Sequence, residues 1–294
     1  MLGLIASDIF WNAAAAGTVA ALAASLVGYF VVLRAHAFAG EALTDICFAG
    51  SAGSALAGFN PLIGMLAFSL SAALGLGALS SRARGRDVET GMALSMATGL
   101  GVLFVSLYAH HSASHATAGM NLLFGSILSV RPAEIRLMLA CAFLALAALG
   151  AISRPLLFAT LDPVSARARG LPVTLLSISF MLILAVAVAM CVLTIGALLA
   201  LSLLVAPPAA ALRVARRPAS AMALSAVLGL IVVWGGLLAS FIGPWRHPPI
   251  GFSVSTSASM AYFIAYALGK RRRKRGGGEG RHPSRETESE GKAE

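Results

Sequence analysis

Apolar runs long enough to cross a lipid bilayer follow one another along most of this chain. The first extends from Trp11 to Leu33, and the sequence from Leu171 to Leu212 stays apolar for about two crossings, since a spanning helix needs about 20 apolar residues. Only 12% of the residues are charged and 58% are hydrophobic, whereas about a quarter of the residues of a soluble domain are charged. The sequence therefore predicts an all-α, polytopic membrane protein.

Turn-forming and basic residues divide this apolar sequence into about eight or nine transmembrane helices. The span-by-span reading gives nine helices with the N-terminus outside, provided that the short run from Ala116 to Val130 forms a re-entrant segment buried in protein. The predicted spans are Trp11 to Leu33, Ala35 to Gly58, Pro61 to Leu79, Thr90 to Ala109, Pro132 to Ile152, two spans within Leu171 to Leu212, Ala219 to Gly243 and Gly251 to Leu268.

The basic residues predict the orientation of these helices. Lys and Arg concentrate in alternate connections, which the positive-inside rule assigns to the cytoplasm. Residues 1–269 are then the membrane domain, and residues 270–294 are a disordered basic and polar cytoplasmic tail, because their composition cannot bury enough apolar surface to fold. The net charge of +10 fits membrane topology, and with 7% aromatic residues the chain shows no pattern typical of nucleic-acid binding.

Two carboxylates, Glu41 and Asp45, stand inside the otherwise apolar second span. An ionised carboxylate at bilayer depth is tolerated mainly where it faces the interior of a bundle or a wet pathway. Their i, i+4 spacing places both on one face of a helix, about 5–6 Å apart, which suits a passing divalent metal or a shared proton. The alternative is that they lie at the cytoplasmic headgroup level and pair with Arg34.

Three histidines, His110, His111 and His115, follow the fourth span on the predicted outer side. If the helix continues, His111 and His115 share a face and could offer two imidazoles to a metal such as zinc. A polar external loop that happens to be rich in histidine is the alternative. The three cysteines lie in apolar stretches without CxxC spacing and are expected to be small core residues.

The longest polar interruption, Ser153 to Gly170, is expected to be a structured loop with a short amphipathic helix. Asp162 is the expected N-cap, Pro163 the first helical residue and Gly170 the end of the helix. Such a helix is a docking element or lies on the membrane surface. Elsewhere, Pro207 and Pro208 are expected to break the seventh helix, and Ala- and Gly-rich faces are expected to let helices approach closely.

Four motifs in this order resemble the membrane permease subunits of zinc and manganese ABC importers, the ABC-3 family. The resemblance spans about Trp11 to Leu268 and is carried by Gly40-Glu-Ala-Leu-Thr-Asp45, Leu123-Phe-Gly-Ser-Ile-Leu128, the stretch Arg154 to Pro172, and Leu203-Leu-Val-Ala-Pro-Pro-Ala-Ala210. It implies a homodimer in the plasma or inner membrane, with a cytosolic ATPase pair below and an extracytoplasmic metal-binding protein above. The short helix then resembles the coupling helix that seats in the ATPase, through Asp162, Pro163, Ala166, Ala168 and Gly170.

By the same resemblance, the metal passes the face that carries Glu41 and Asp45. The family motif has aspartate and histidine at these positions, so this chain replaces a nitrogen ligand with an oxygen ligand. Oxygen ligands suit manganese or iron, whereas the external histidines suit zinc, and zinc is slightly favoured. The metal is the substrate, and no permanently bound cofactor is expected.

The chain is not expected to be an enzyme. It contains no GxxxxGK[ST] phosphate loop, so ATP hydrolysis falls to a separate subunit. HExxH and GxSxG motifs are likewise missing from the sequence. The remaining alternative is a proton- or sodium-coupled secondary metal carrier, with Glu41 and Asp45 as the relay.

Overall fold

The structure of this chain, a computed structural model, consists mainly of long α-helices. It describes residues 8–79, 86–111, 125, 127, 132–215, 217–242 and 250–276, and no β-strand occurs in these ranges. The all-α prediction is confirmed. The helices are α1 (Asp8–Leu33), α2 (Ala37–Leu56), α3 (Pro61–Leu79), α4 (Arg86–His111), α5 (Pro132–Leu161), α6 (Pro163–Ala168), α7 (Val173–Ile195), α8 (Ala197–Val214), α9 (Pro218–Ile242) and α10 (Ile250–Gly276).

Nine long helices and the short α6 make up the described part of the chain, and each predicted span corresponds to one long helix. Seven of the long helices are long and apolar enough to cross a membrane by length and composition, and α2 and α10 are the two that are not. Helix α2 is more polar than the seven apolar helices. It packs against α3, α4, α7 and α8, and these helices cover much of its surface. The chain is a multi-pass membrane protein.

Helices α1 and α7 form the centre of the bundle and join two groups of helices. Helices α2, α3 and α4 pack together on one side, whereas α8, α9 and α10 pack together on the other. Helices α1 and α7 are antiparallel, because Arg34 at the end of α1 donates to Ser177 near the start of α7, with Nη2 and Oγ 2.9 Å apart. The basic end of the bundle, predicted to be cytoplasmic, is thus the end where α1 stops and α7 begins.

Helix α5 is longer than predicted and contains the first part of the expected loop. The interruption was expected to start at Ser153, but the helix continues through Arg154 and Pro155 to Leu161. It continues because Leu156 and Ala159 extend the buried face of the helix by two more turns, at 0% and 5% exposure.

The expected helix break at Pro207 and Pro208 is wrong, because α8 continues through both prolines. The predicted break near Thr194 and Gly196, between the two spans of Leu171 to Leu212, is confirmed: it lies at Gly196, between α7 and α8, where φ is +94° and a side chain would be strained. Pro208 has no N–H to donate to the carbonyl of Leu204. Gly28 of α1 packs directly against that carbonyl, where a Cβ would overlap it, so the missing side chain lets α1 cover the freed acceptor.

Small residues let the helices pack closely, as predicted from the Ala- and Gly-rich faces. Ala13, Ala16, Ala49, Ala52 and Ala73 are all buried at 2% exposure or less. Cys47 and Cys191 are buried thiols, Cys141 is half-buried, and all three are free. Interhelical packing therefore depends on close backbone approach, as is usual where lipid gives no hydrophobic driving force between helices.

The segment predicted to be re-entrant lies outside the described residues except at two positions. Gly125 packs against Ile195 and Gly196 at the α7–α8 break, and Ile127 is 2% exposed beside Gly17 of α1. Helix α4 starts at the basic end and α5 finishes there, so the connection between them begins and ends on the opposite side. A non-crossing segment requires this arrangement, and the re-entrant path stays a prediction.

Helix α10 extends past the predicted boundary of the tail. It continues to Gly276 and includes the basic run that starts at Lys270. Residues 277–294 lie outside the described residues, and their disorder stays a prediction.

Candidate functional site

The candidate site lies along the contact between α2 and α4, which are parallel and closely packed. An ideal Cβ built on Gly101 would lie 2.6 Å from Cδ1 of Phe48, and one built on Gly91 would lie 3.6 Å from Cε1 of Phe38. Phe38 and Phe48 are ten residues apart on α2, as are Gly91 and Gly101 on α4, so the two helices run in the same direction. We call this line of contacts the α2–α4 seam.

Glu41 and Asp45 both lie on the α2–α4 seam and are half-buried. Thr98 of α4 donates from its Oγ1 to Oδ2 of Asp45 across the seam. The Oε2 atom of Glu41 is buried and has no hydrogen-bond partner among the described residues. A buried carboxylate oxygen without a donor is costly, so this position is suited to a cation or a proton.

The Arg34 side chain contacts α7. Its Nη2 donates to Ser177, and its Cζ lies 5.3 Å from the ring centroid of Phe180. The pathway interpretation of Glu41 and Asp45 stays a prediction.

Glu89 is a further acid within a transmembrane helix that the sequence reasoning missed. It lies in the first turns of α4, because that helix begins at Arg86 rather than at the expected Thr90, and its Oε2 is buried without a hydrogen-bond partner among the described residues. Nine residues, or two and a half helical turns at about 3.6 residues per turn, separate Glu89 from Thr98. Glu89 is therefore on the opposite face of α4 from Thr98 and does not belong to the same group of oxygens.

The side-chain atoms that one chain presents at the seam as possible metal ligands are oxygens. No group of three or more His, Cys, Asp or Glu side chains that could hold a metal occurs in the described part of the chain. Glu41, Asp45 and the Thr98 hydroxyl would suit a cation that accepts oxygen ligands, such as manganese, better than one that prefers nitrogen or sulfur.

The predicted external histidines are not positioned by the structure. Helix α4 ends at His111, but the side chains of His110 and His111 and the whole of His115 lie outside the described residues. Metal capture by these residues stays a prediction.

The predicted N-terminal cap of the short helix is confirmed. The Asp162 side chain accepts a hydrogen bond from the backbone N–H of Ser165 at 3.0 Å, and Pro163 is the first helical residue. Hydrogen bonds from Ser165 lower the pKa of Asp162 below its ordinary value. The carboxylate is thus ionised at neutral pH, and the stability that it adds is lost only as the pH falls through that lowered pKa.

Gly170 ends the α6 turn as predicted, with φ +77°. The N–H of Gly170 bonds to the carbonyl of Arg167 at 3.0 Å, and the N–H of Leu171 bonds to that of Ala166 at 3.1 Å, which is a Schellman motif. Arg169 further fixes the turn, with its Cζ 5.2 Å from the ring centroid of Phe158 on α5.

One face of α6 is covered by the rest of the chain and the other is exposed. Ala166 is 0% exposed and packs toward the bundle, so it is not available for direct contact with a partner. Pro163, Val164 and Ala168 are exposed, Val164 at 77%. Beside α6 is an open cleft of about 600 Å³, lined by Arg167, Gly170, Leu171, Pro172, Val173, Thr174, Leu175 and Ile178.

These features define a polytopic helical membrane protein with polar side chains along the α2–α4 seam and an exposed helix, capped at both ends, at its basic end. The chain belongs to the ABC 3 transport family, which matches residues 6–269. The family predicted from the sequence motifs is confirmed.

Named relatives and a solved structure resemble the chain over nearly its whole length. It is 26% identical to the manganese transport system membrane protein MntC of Listeria monocytogenes over 265 residues, which are 90% of this chain and 92% of that protein. It is 26% identical to the manganese import system permease protein ScaB of Streptococcus parasanguinis over 92% of this chain and 95% of that protein. A chain in the structure of PsaBC from Streptococcus pneumoniae in complex with Fab matches with a TM-score of 0.79 and 25% identity, covering 92% of this chain and 95% of that chain.

Proposed function

We propose that this chain is the membrane permease subunit of an ABC importer that moves a divalent transition metal into the cytoplasm along the α2–α4 seam. The observation that carries the proposal is the pair Glu41 and Asp45, held on the seam with one buried carboxylate oxygen that lacks a donor. Charged groups at such depth are retained mainly for ion or proton pathways. Membership of a transport family supports the interpretation that this pathway carries a transported substrate.

The seam suits a site that opens alternately to the two sides. A permease needs two packings of the same helices with different access to one cavity. The close Phe48–Gly101 contact gives α2 and α4 a well-defined packing, because a small shift between them would change which atoms touch. A side-chain hydrogen bond from Thr98 to Asp45 also joins the two helices across the seam.

Manganese is the metal that we propose as substrate. The described donors are oxygens, and the relatives MntC and ScaB are named for manganese. The three external histidines slightly favour zinc, a preference that these relatives do not support. Carboxylate and hydroxyl oxygens suit manganese, whereas imidazole suits zinc.

Three protein partners complete the proposed importer. A cytosolic ATPase would seat on the exposed face of α6, where Pro163, Val164 and Ala168 project from a helix fixed at both ends. An extracytoplasmic metal-binding protein would deliver metal at the opposite end of the bundle. A second copy of the chain would cover α4, because only 11% of the residues that form its apolar membrane span are buried within one chain. It would also add a second pair of carboxylates to the pathway.

A metal-uptake assay tests the proposal against the secondary-carrier alternative. In cells that lack their own importer, the chain is expressed with its ATPase and binding protein, and the entry of manganese, zinc and iron is compared with intact and catalytically inactive ATPase. We expect manganese entry that requires the active ATPase. Entry that persists with the inactive ATPase and stops on collapse of the proton or sodium gradient would establish a carrier instead.

A further inference from the structure

We propose that Thr98 is a positioning residue that orients the Asp45 carboxylate for metal binding, an inference that rests on the proposed function. Thr98 lies on α4 and Asp45 on α2, and the threonine hydroxyl donates to Oδ2 of the carboxylate. The two residues are 53 positions apart in sequence, so the contact is a consequence of the parallel packing of the two helices.

The contact is unusual among the hydroxyl groups of this chain. Within the described helices, most serine and threonine side chains donate to a carbonyl three or four residues earlier in their own helix, as Thr18, Thr44 and Ser95 do. Such local bonds satisfy the hydroxyl and do not join it to a neighbouring helix. Thr98 has the same local acceptor, the carbonyl of Leu94 at 2.9 Å, and in addition reaches a carboxylate on another helix.

Two acceptors for one proton allow the hydroxyl to hold Asp45 without competing strongly with a metal. A threonine hydroxyl donates one hydrogen bond at a time. In the empty site the negative carboxylate is the stronger acceptor, so the side chain of Asp45 is fixed. When a cation takes Oδ2, the proton can turn to the carbonyl of Leu94, and the hydroxyl is not left unsatisfied.

Fixing a ligand before the metal arrives increases affinity. A side chain that is ordered only on binding costs an amount that corresponds to about a threefold to tenfold loss of affinity. The ligand that Thr98 orients is a carboxylate oxygen, which suits manganese more than zinc. Loss of the hydroxyl should therefore weaken manganese binding and reduce the preference for manganese over zinc.

Equilibrium metal binding to the purified permease–ATPase complex tests this role. Binding of Mn²⁺ is followed by the loss of the electron paramagnetic resonance signal of free Mn²⁺, and Zn²⁺ by competition. Thr98→Val removes the hydroxyl at nearly constant volume, Thr98→Ser retains it, and Ser95→Ala removes a hydroxyl that bonds only within α4 one turn away.

We expect Thr98→Val to raise the Kd for Mn²⁺ about threefold to tenfold with a smaller effect on Zn²⁺, while Thr98→Ser and Ser95→Ala bind as wild type. If the valine variant does not insert, Thr98→Ala makes the same comparison. Unchanged Mn²⁺ binding in the variant without the hydroxyl would overturn the proposal, as would an equal loss in Thr98→Ser. Failure of the proposed function is separate, because then Asp45→Asn would also bind and transport Mn²⁺ normally.

Discussion

The replacement Gly101→Ala should open the α2–α4 seam and impair transport without changing any polar group. The new Cβ would lie 2.6 Å from Cδ1 and 2.7 Å from Cε1 of Phe48, whereas carbon atoms in contact are ordinarily about 3.5–4.0 Å apart. Phe48 is 4% exposed, so it can give way only by moving α2 from α4 by about 1 Å. That shift would occur one turn from Asp45 and Thr98.

The expected cost follows from the cost of overpacking a well-filled core, about 1–3 kcal/mol. For a chain of this size a change of 1 kcal/mol corresponds to about 2–4 °C in Tm, so Gly101→Ala should lower the Tm in detergent by several degrees. Manganese binding should weaken at the same time, because the Thr98–Asp45 hydrogen bond is stretched.

Two variants control for the general effect of alanine in a transmembrane helix. Gly75 on α3 has no atom within 4 Å of an ideal Cβ, so Gly75→Ala should leave both the Tm and metal binding near wild type. Phe48→Leu in the Gly101→Ala background removes the clashing ring edge and should restore part of both. A Gly101→Ala variant with wild-type Tm and metal affinity would show that close packing at Gly101 does not maintain the site.

The remaining predictions concern the two ends of the bundle. Ala168→Glu, on the exposed face of α6, should uncouple ATP hydrolysis from uptake while leaving the Tm unchanged. Ala166→Glu should lower the Tm because Ala166 is fully buried. Retained coupling in Ala168→Glu would mean that α6 has another role. Truncation after Gly276 should leave uptake near wild type, and a severe loss would mean that the tail binds something specific. Replacement of the external histidines by Asn or Gln should raise the metal concentration for half-maximal uptake without lowering the maximal rate, more for zinc than for manganese, and an unchanged concentration dependence would leave them as a polar loop. These histidines are His110, His111 and His115.

The features that were predictable from the sequence depend on neighbours along the chain. The cap at Asp162, the proline at the start of α6 and the left-handed Gly170 involve contacts within ten residues, and such local rules apply before any tertiary structure is known. Glu41 and Asp45 were found for a similar reason, because two acids at i, i+4 in an apolar run stand out in the sequence alone.

The features that were not predictable depend on packing between distant helices. Helix α5 continues past Ser153 because Leu156 meets the bundle core, and α8 tolerates Pro208 because Gly28 covers the freed carbonyl. Thr98 is an ordinary polar residue in the sequence, and only the register of α2 against α4 places it beside Asp45. Neither the periodicity nor the composition of the sequence predicts the register between these two helices.

ATP-driven manganese entry into proteoliposomes that contain this chain, its ATPase and the binding protein tests directly whether metal passes along the α2–α4 seam. We expect rapid entry with the wild-type chain and none above the ATP-free background with the double variant Glu41→Gln, Asp45→Asn. The variant should still insert, bind the ATPase and support basal ATP hydrolysis. Manganese entry at the wild-type rate in that double variant would contradict the assignment of the α2–α4 seam as the metal pathway.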